Sequence, residues 1–177
     1  MNNSNQKCTS KNTSINRSKL PAIYNHINYD LLIFTRYISA QKDYDILRRP
    51  VILDYGAGKH TNHIRKFLLK KYIDYLAYDP YNGSDEDWDK VKPDLIICSN
   101  VLNVIDDDEA MKAVHDYVAS QNCPYLITVY EGNKSGIGAI SKKDCYQRNS
   151  KTKDYINNNE IVYKGVITKP EYKNYIK

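Results

Sequence analysis

No run of 18 apolar residues occurs in this 177-residue chain, so no membrane-spanning helix is expected. The first residues, Met1-Asn-Asn-Ser-Asn-Gln-Lys7, are polar and carry no apolar h-region. That pattern leads to the expectation of a cytoplasmic protein. The four cysteines, Cys8, Cys98, Cys123 and Cys145, form no C-x-x-C pair. Free thiols are expected, rather than a disulfide framework or a thiolate metal site. His60 and His63 lie three apart, but no further ligands accompany them, so no metal is expected. No internal repeat is present. Glycine is scarce, at seven residues, yet two of the seven stand one residue apart at Gly56 and Gly58.

The composition that remains is that of one folded domain. Hydrophobic residues make up 41%, ordinary for a globular chain of this length. The net charge of +5 is unevenly spread. Residues 1–50 carry 8 Lys/Arg against 3 Asp/Glu, residues 51–133 carry 8 against 14, and residues 134–177 carry 10 against 4. An acidic middle is therefore flanked by basic ends, which suit phosphates or an acidic partner and also keep the protein soluble. Residues 1–19 read as a flexible basic arm and 20–177 as a single domain. Twenty Lys against six Arg, with abundant Asn, Ile and Tyr, fit the codon usage of a low-GC genome.

The periodicities alternate between strand and helix. Leu20 through Ile38 reads as a helix, with Pro21 in its first turn and Ile27, Leu31, Phe34 and Ile38 at helical spacing. Val51–Tyr55 reads as a central parallel strand. A helix over Thr61–Tyr72 carries Ile64, Phe67 and Leu68, and Tyr75–Tyr78 is the second strand. Only about 15 residues separate Asp79 from Asp94, too few for another helix and strand. Asp94–Asn100 is the third strand, and Asp106–Ser120 is a helix opened by four acids that suit its positive end. Pro124–Tyr130 is the fourth strand, Glu131–Ser141 a glycine-containing loop, 151–158 a short helix and Ile161–Thr168 a final strand. This order predicts an α/β fold, a reduced Rossmann-like three-layer sandwich with a mostly parallel sheet. Ligands bind such sheets at the carboxyl ends of the strands. Asp54–Lys59, Asp79–Tyr81, Ser99–Asn103 and Tyr130–Gly132 then share one rim.

Val51-Ile-Leu-Asp-Tyr-Gly-Ala-Gly-Lys59 is the most informative stretch. An apolar strand ends in an acid, two glycines follow, and a helical pattern begins. A second apolar strand ends in an acid at Asp79. Such a unit holds a nucleoside: glycine lets backbone approach the ligand, and the second acid accepts ribose hydroxyls. A Walker A loop is excluded, because Gly58-Lys59 is followed by His60 and its first glycine position is Leu53. A dinucleotide site is weakened by Thr61, which stands where the third glycine of G-x-G-x-x-G belongs.

Read together, five segments carry a sharper likeness: Leu53-Asp-Tyr-Gly-Ala-Gly-Lys59, Tyr78-Asp-Pro-Tyr-Asn82, Cys98-Ser-Asn-Val-Leu-Asn-Val-Ile105, Val129-Tyr-Glu-Gly132 and Tyr146-Gln-Arg-Asn-Ser-Lys-Thr152. Over about residues 17–168 the chain resembles the class I S-adenosylmethionine (SAM)-dependent methyltransferases. The series looks like small methyltransferase-like proteins carried by bacteriophages and some bacteria. More distantly, it is similar to methyltransferases associated with DNA phosphorothioation. The resemblance implies a SAM cofactor. It places Asp54, Gly56 and Gly58 around the amino-acid part, Asp79 on the ribose diol, Pro80 and Tyr81 near the adenine, and Asn100 at the methyl-donor end. His60 departs from the commonest pattern, where a third glycine often stands.

The acceptor is not specified by any motif. The Asp/Asn-Pro-Pro-Tyr motif of amino-methylating DNA enzymes is replaced by Ser99-Asn-Val-Leu-Asn103, and Cys123-Pro124 reverses the Pro-Cys of cytosine-C5 enzymes. Glu131 and Tyr130 are candidates for a general base at the rim. Tyr146, Gln147, Arg148, Asn149 and Lys151 offer donors, charge and a stacking ring for an anionic acceptor or nucleic acid. A SAM- or nucleotide-binding module without transferase activity and, less favoured, an NAD-dependent oxidoreductase are the rival readings.

Overall fold

The structure, a computed structural model, describes residues 20–42, 48–105, 107–129, 139–141, 145–147, 160–163 and 165–169, with backbone only for 139–141, 145–147 and 161–163. Its strands are β1 (Val51–Tyr55), β2 (Asp74–Tyr78), β3 (Leu95–Ser99), β4 (Tyr125–Thr128), β5 (Ala139–Ser141), β6 (Cys145–Gln147), β7 (Ile161–Tyr163) and β8 (Val166–Thr168). Its helices are α1 (Tyr29–Lys42), α2 (Asn62–Leu69) and α3 (Asp108–Ser120), with 3-10 turns at Ala22–His26 and Leu102–Val104. The main sheet has six strands in the order β2-β1-β3-β4-β8-β7. β2, β1, β3 and β4 run parallel; β8 is antiparallel to both β4 and β7. The predicted α/β fold with a mostly parallel sheet is thus present.

The sheet is apolar on both faces because successive side chains of each strand point to opposite sides. Ile52, Leu95, Ile97, Leu126 and Val166 join one core with Ile64 and Leu68 of α2 and Ile23, Tyr24 and Leu32 of the N-terminal segment. Leu53, Tyr55, Ile96, Cys98, Ile127 and Ile167 join the other, under Met111 and Val118 of α3. α3 starts where the sequence supplies a cap: the Asp107 carboxylate accepts from the Ala110 amide at 2.7 Å.

Three elements differ from expectation. The first predicted helix is broken: Ile27 is extended, and the Asn28 side chain accepts from the Leu31 amide at 3.0 Å, so α1 starts afresh. α1 then buries Leu32, Arg36 and Ala40, while Phe34 is 60% exposed. Leu31, Leu32, Ile33, Phe34, Tyr37 and Ile38 surround this helix with apolar side chains, so spacing alone does not select its inner face. The predicted final strand is a hairpin, because Gly165 turns the chain with φ +77°. Part of the predicted 131–141 loop is β5, paired antiparallel with β6. Residues 151–158 and the basic arm lie outside the described residues. Between β2 and β3 the chain makes only turns, as the short spacing predicts.

Candidate functional site

From β1 the chain passes to β2 on one side, then returns across to β3 on the other. This reversal opens a crevice between the carboxyl ends of β1 and β3, where an open parallel sheet binds ligands. The loop Tyr55–Gly58 enters it. Gly56 and Gly58 have φ of +87° and +68°, the left-handed region where a Cβ is strained. The Gly56 and Ala57 amides donate to the Tyr78 carbonyl at 2.7 and 3.1 Å, anchoring the loop to β2. A Cβ at Gly56 would meet Val101 Cγ2 at 2.2 Å. Glycine there allows close approach of the Val101 side chain from the loop after β3.

Asp79, at the tip of β2, is buried and binds the loop directly. Its Oδ2 accepts from the Gly58 amide at 2.8 Å. Its Oδ1 accepts from the Tyr81 amide at 2.8 Å, the Asn82 amide at 2.9 Å and Asn82 Nδ2 at 3.0 Å. Asp-Pro-Tyr-Asn thus folds as a side-chain-closed turn. Oδ1 is encircled, and Oδ2 keeps room for one more donor. Pro80 is exposed and Tyr81 half-buried beside it.

Asp54, the penultimate residue of β1, is 4% exposed. Its Oδ2 accepts from Tyr24 Oη and from Tyr75 Oη, each at 2.9 Å. Burial pushes the Asp54 carboxyl up to about 6, although both hydroxyl bonds pull it down and the neighbouring Asp79 adds to the rise. Burial, and then the charge of Asp54, push the Tyr24 and Tyr75 hydroxyls up, so both stay protonated as donors. Strand register explains one partner: Asp54 pairs with Ala77, so Tyr75 lies on the same face two residues back. Tyr24 is 30 residues distant, and no sequence signal joins it to Asp54.

Asn100 follows β3 with φ +57°, a conformation that Asn tolerates, and its amide donates to the Thr128 carbonyl at 2.8 Å. Ser99 and Thr128 share a hydroxyl bond of 2.9 Å below it. β6 lies against the Leu102–Val104 turn, which brings the backbone of Tyr146 and Gln147 beside the loop after β3. Tyr130, Glu131, Arg148, Asn149 and Lys151 lie outside the described residues. Asp54, Gly56, Gly58, Asp79, Pro80, Tyr81 and Asn100 do share one rim. Cys98, expected as packing, is wholly buried, and burial pushes its thiol up.

Sequence reasoning did not anticipate a four-ring cluster on the α3 side of β1 and β2. Trp88 packs at 4.0 Å from the Tyr78 ring, and Tyr55 lies 4.5 Å from Tyr78 and 5.0 Å from Tyr117. These rings cover the sheet where the connection from β2 to β3 supplies no helix. A cleft of about 250 Å³ is lined by Lys59, His60, Asn62, His63 and Lys66. Its walls belong to the start of α2, not to the strand ends that carry Asp54 and Asp79. Among the described residues no cluster of His, Cys, Asp and Glu is arranged to hold a metal, and no helix is long and apolar enough to cross a membrane. No protein-family model matches the chain, and no curated protein matches it in sequence.

Proposed function

We propose that this rim binds S-adenosylmethionine and that the protein is a SAM-dependent methyltransferase, the class its motifs resemble. The observation that carries the reading is the bond from the Gly58 amide to Asp79 Oδ2 at 2.8 Å. It joins the acid ending the second strand to a left-handed glycine loop ending the first, at the reversal of strand order. An acid and a half-buried glycine loop brought together there suit a nucleoside with a vicinal diol. The fit extends to Asp54: among the described residues no cation pairs with this buried acid, and the amino-acid part of SAM carries an ammonium.

SAM supplies an activated methyl on a sulfonium, so the protein's task is orientation rather than activation. Asp79 Oδ2 takes a ribose hydroxyl beside the Gly58 amide. Asp54 faces the ammonium. Gly56 and Gly58 keep the loop free of side chains, and Asn100 borders the methyl end of the crevice. The acceptor enters from the side where β6 adjoins the Leu102–Val104 turn, and Tyr130 or Glu131 removes its proton where the chemistry requires one. An anionic acceptor or nucleic acid suits the basic 142–153 segment.

Calorimetry with SAM and S-adenosylhomocysteine tests the cofactor. Both bind, and Asp79→Ala weakens each by roughly 10- to 150-fold, the loss of a charge-assisted hydrogen bond worth about 1.5–3 kcal/mol. Tighter binding of NAD than of SAM overturns the class. Binding without S-adenosylhomocysteine formation across candidate acceptors assigns a binding module instead.

A further inference from the structure

Asp54 poses an electrostatic problem that the fold leaves half solved. Its carboxylate is buried, yet no Lys, Arg or His among the described residues pairs with it. The titratable groups facing it are Tyr24 from the first 3-10 turn, Tyr75 from β2, Asp79 from the tip of β2 and Cys98 from β3. Two of these are hydroxyl donors, one is another acid and one is a buried thiol. An ionised acid so placed is costly until a cation reaches it.

The geometry of the two donors is specific. Both tyrosines address Oδ2, at 2.9 Å each. Among the described residues no donor reaches Oδ1. Two bonds from two different elements hold the carboxylate in one rotamer, with one oxygen saturated and the other left to accept. Tyr29 Oη in turn donates to the Tyr24 carbonyl at 2.9 Å, fixing the 3-10 turn that carries Tyr24. Arg65 stacks over the Tyr75 ring at 5.1 Å and holds the other tyrosine.

We propose that Tyr24 and Tyr75 are positioning residues that hold Asp54 so that Oδ1 receives the ammonium of the cofactor, making cofactor binding acid-labile. This rests on the SAM reading. The tyrosines touch neither cofactor nor acceptor; they act through Asp54. Their hydroxyls keep a buried acid ionisable near neutral pH, and they withhold the positive partner that a structural salt bridge would supply. The cofactor's ammonium is that partner.

The sign follows from which form binds. The ammonium needs the carboxylate, so SAM affinity is flat above the Asp54 midpoint of about 6 and falls about tenfold per pH unit below it. Adenosine lacks the ammonium, and its affinity does not share that fall. Removing either hydroxyl destabilises the carboxylate and moves the midpoint up by roughly one unit.

The test combines two readouts on the full chain. Carbon-13 NMR of the labelled Asp carboxyls, with Asp54→Asn to assign the signal, follows the titration without ligand. Calorimetry from pH 5 to 8 follows SAM and adenosine. Tyr24→Phe and Tyr75→Phe should raise the Asp54 midpoint and shift the SAM profile by the same amount, with adenosine affinity unchanged. A wild-type Asp54 titrating in the ordinary carboxylate range overturns the acid-labile binding, and midpoints unmoved by both Phe variants overturn the tyrosines' part. SAM affinity that tracks adenosine at every pH removes the ammonium from Asp54. No binding of SAM at any pH sinks the cofactor reading itself, while the NMR midpoints still decide whether the tyrosines set Asp54. Circular dichroism identifies a variant that has failed to fold, and the other Phe variant then carries the test.

Discussion

Gly56 shows how one residue serves geometry twice. Its backbone lies at φ +87°, and the space where a Cβ would stand is taken by Val101. Left-handed backbone costs an L-residue roughly 1–2 kcal/mol, and overpacking about 1–3 more. Gly56→Ala should therefore destabilise the fold by about 3 kcal/mol in urea unfolding, as well as weaken ligand binding. Adding Val101→Ala should recover the overpacking part, leaving the double variant less destabilised than the sum of the singles. Strict additivity would mean that the two residues do not share the space. The expectation from sequence was a glycine kept for ligand approach; the structure adds a neighbouring side chain that requires it equally.

Among the elements, β2 carries a liability that its surroundings offset. It is an edge strand, whose open side exposes backbone groups to pairing with another chain. One ion pair closes that side. Arg65 Nη1 donates to the Tyr75 carbonyl at 2.8 Å, Asp85 Oδ2 accepts from the Ala77 amide at 2.7 Å, and the Asp85 amide donates to the Ala77 carbonyl at 2.9 Å. Arg65 Nη2 meets both Asp85 oxygens at 2.9 and 3.1 Å. Side chains from α2 and from the turn segment thus do the work of the absent next strand. Asp85→Ala should cost about 1–3 kcal/mol through the unsatisfied Ala77 amide. Static light scattering should also show concentration-dependent association through the bared edge. A variant that loses stability but remains monomeric at high concentration would show that the edge is protected by something other than this pair.

At the scale of the molecule, a clasp on the amino side of the sheet, away from the crevice, ties the C-terminal hairpin to the rest. His115 of α3 and Glu160 before β7 are joined at 2.9 Å, and both side chains are 4% exposed. Tyr125 of β4 donates to the same carboxylate. The bond to Glu160 raises the His115 pKa above the ordinary histidine value, burial opposes that rise, and Asp116 assists it. A histidine raised in the folded state contributes stability that is full below its unfolded value and is lost as pH rises through its folded one. Thermal unfolding should accordingly show stability declining as pH rises above the ordinary histidine range. Glu160→Gln should flatten that decline, and Glu160→Ala should cost about 3 kcal/mol by stranding a buried imidazole. An identical pH profile in wild type and Glu160→Gln would remove the clasp from the protein's acid–base behaviour.

Strand positions were readable from sequence as short apolar runs: Val51–Tyr55 is as predicted to the residue, and Asp74–Tyr78 and Leu95–Ser99 fall within one residue of expectation. The glycine loop that shapes the crevice was equally readable, since left-handed backbone asks for glycine, whereas the turn that Asp79 closes on Tyr81 and Asn82 was seen only in the structure. The Gly165 hairpin was written in the chain as well, but a continuous apolar pattern on both sides concealed its turn. Other features had no local signature. Which side of α1 faces inward was decided by the sheet it packs on, because its apolar residues surround the helix. The Tyr24–Asp54–Tyr75 bonds, the Arg65–Asp85 closure of β2 and the His115–Glu160–Tyr125 clasp each join residues brought together only by strand order and register. Local periodicity encodes what a segment becomes; the partners of a buried polar group are chosen by the packing of segments far apart in the chain.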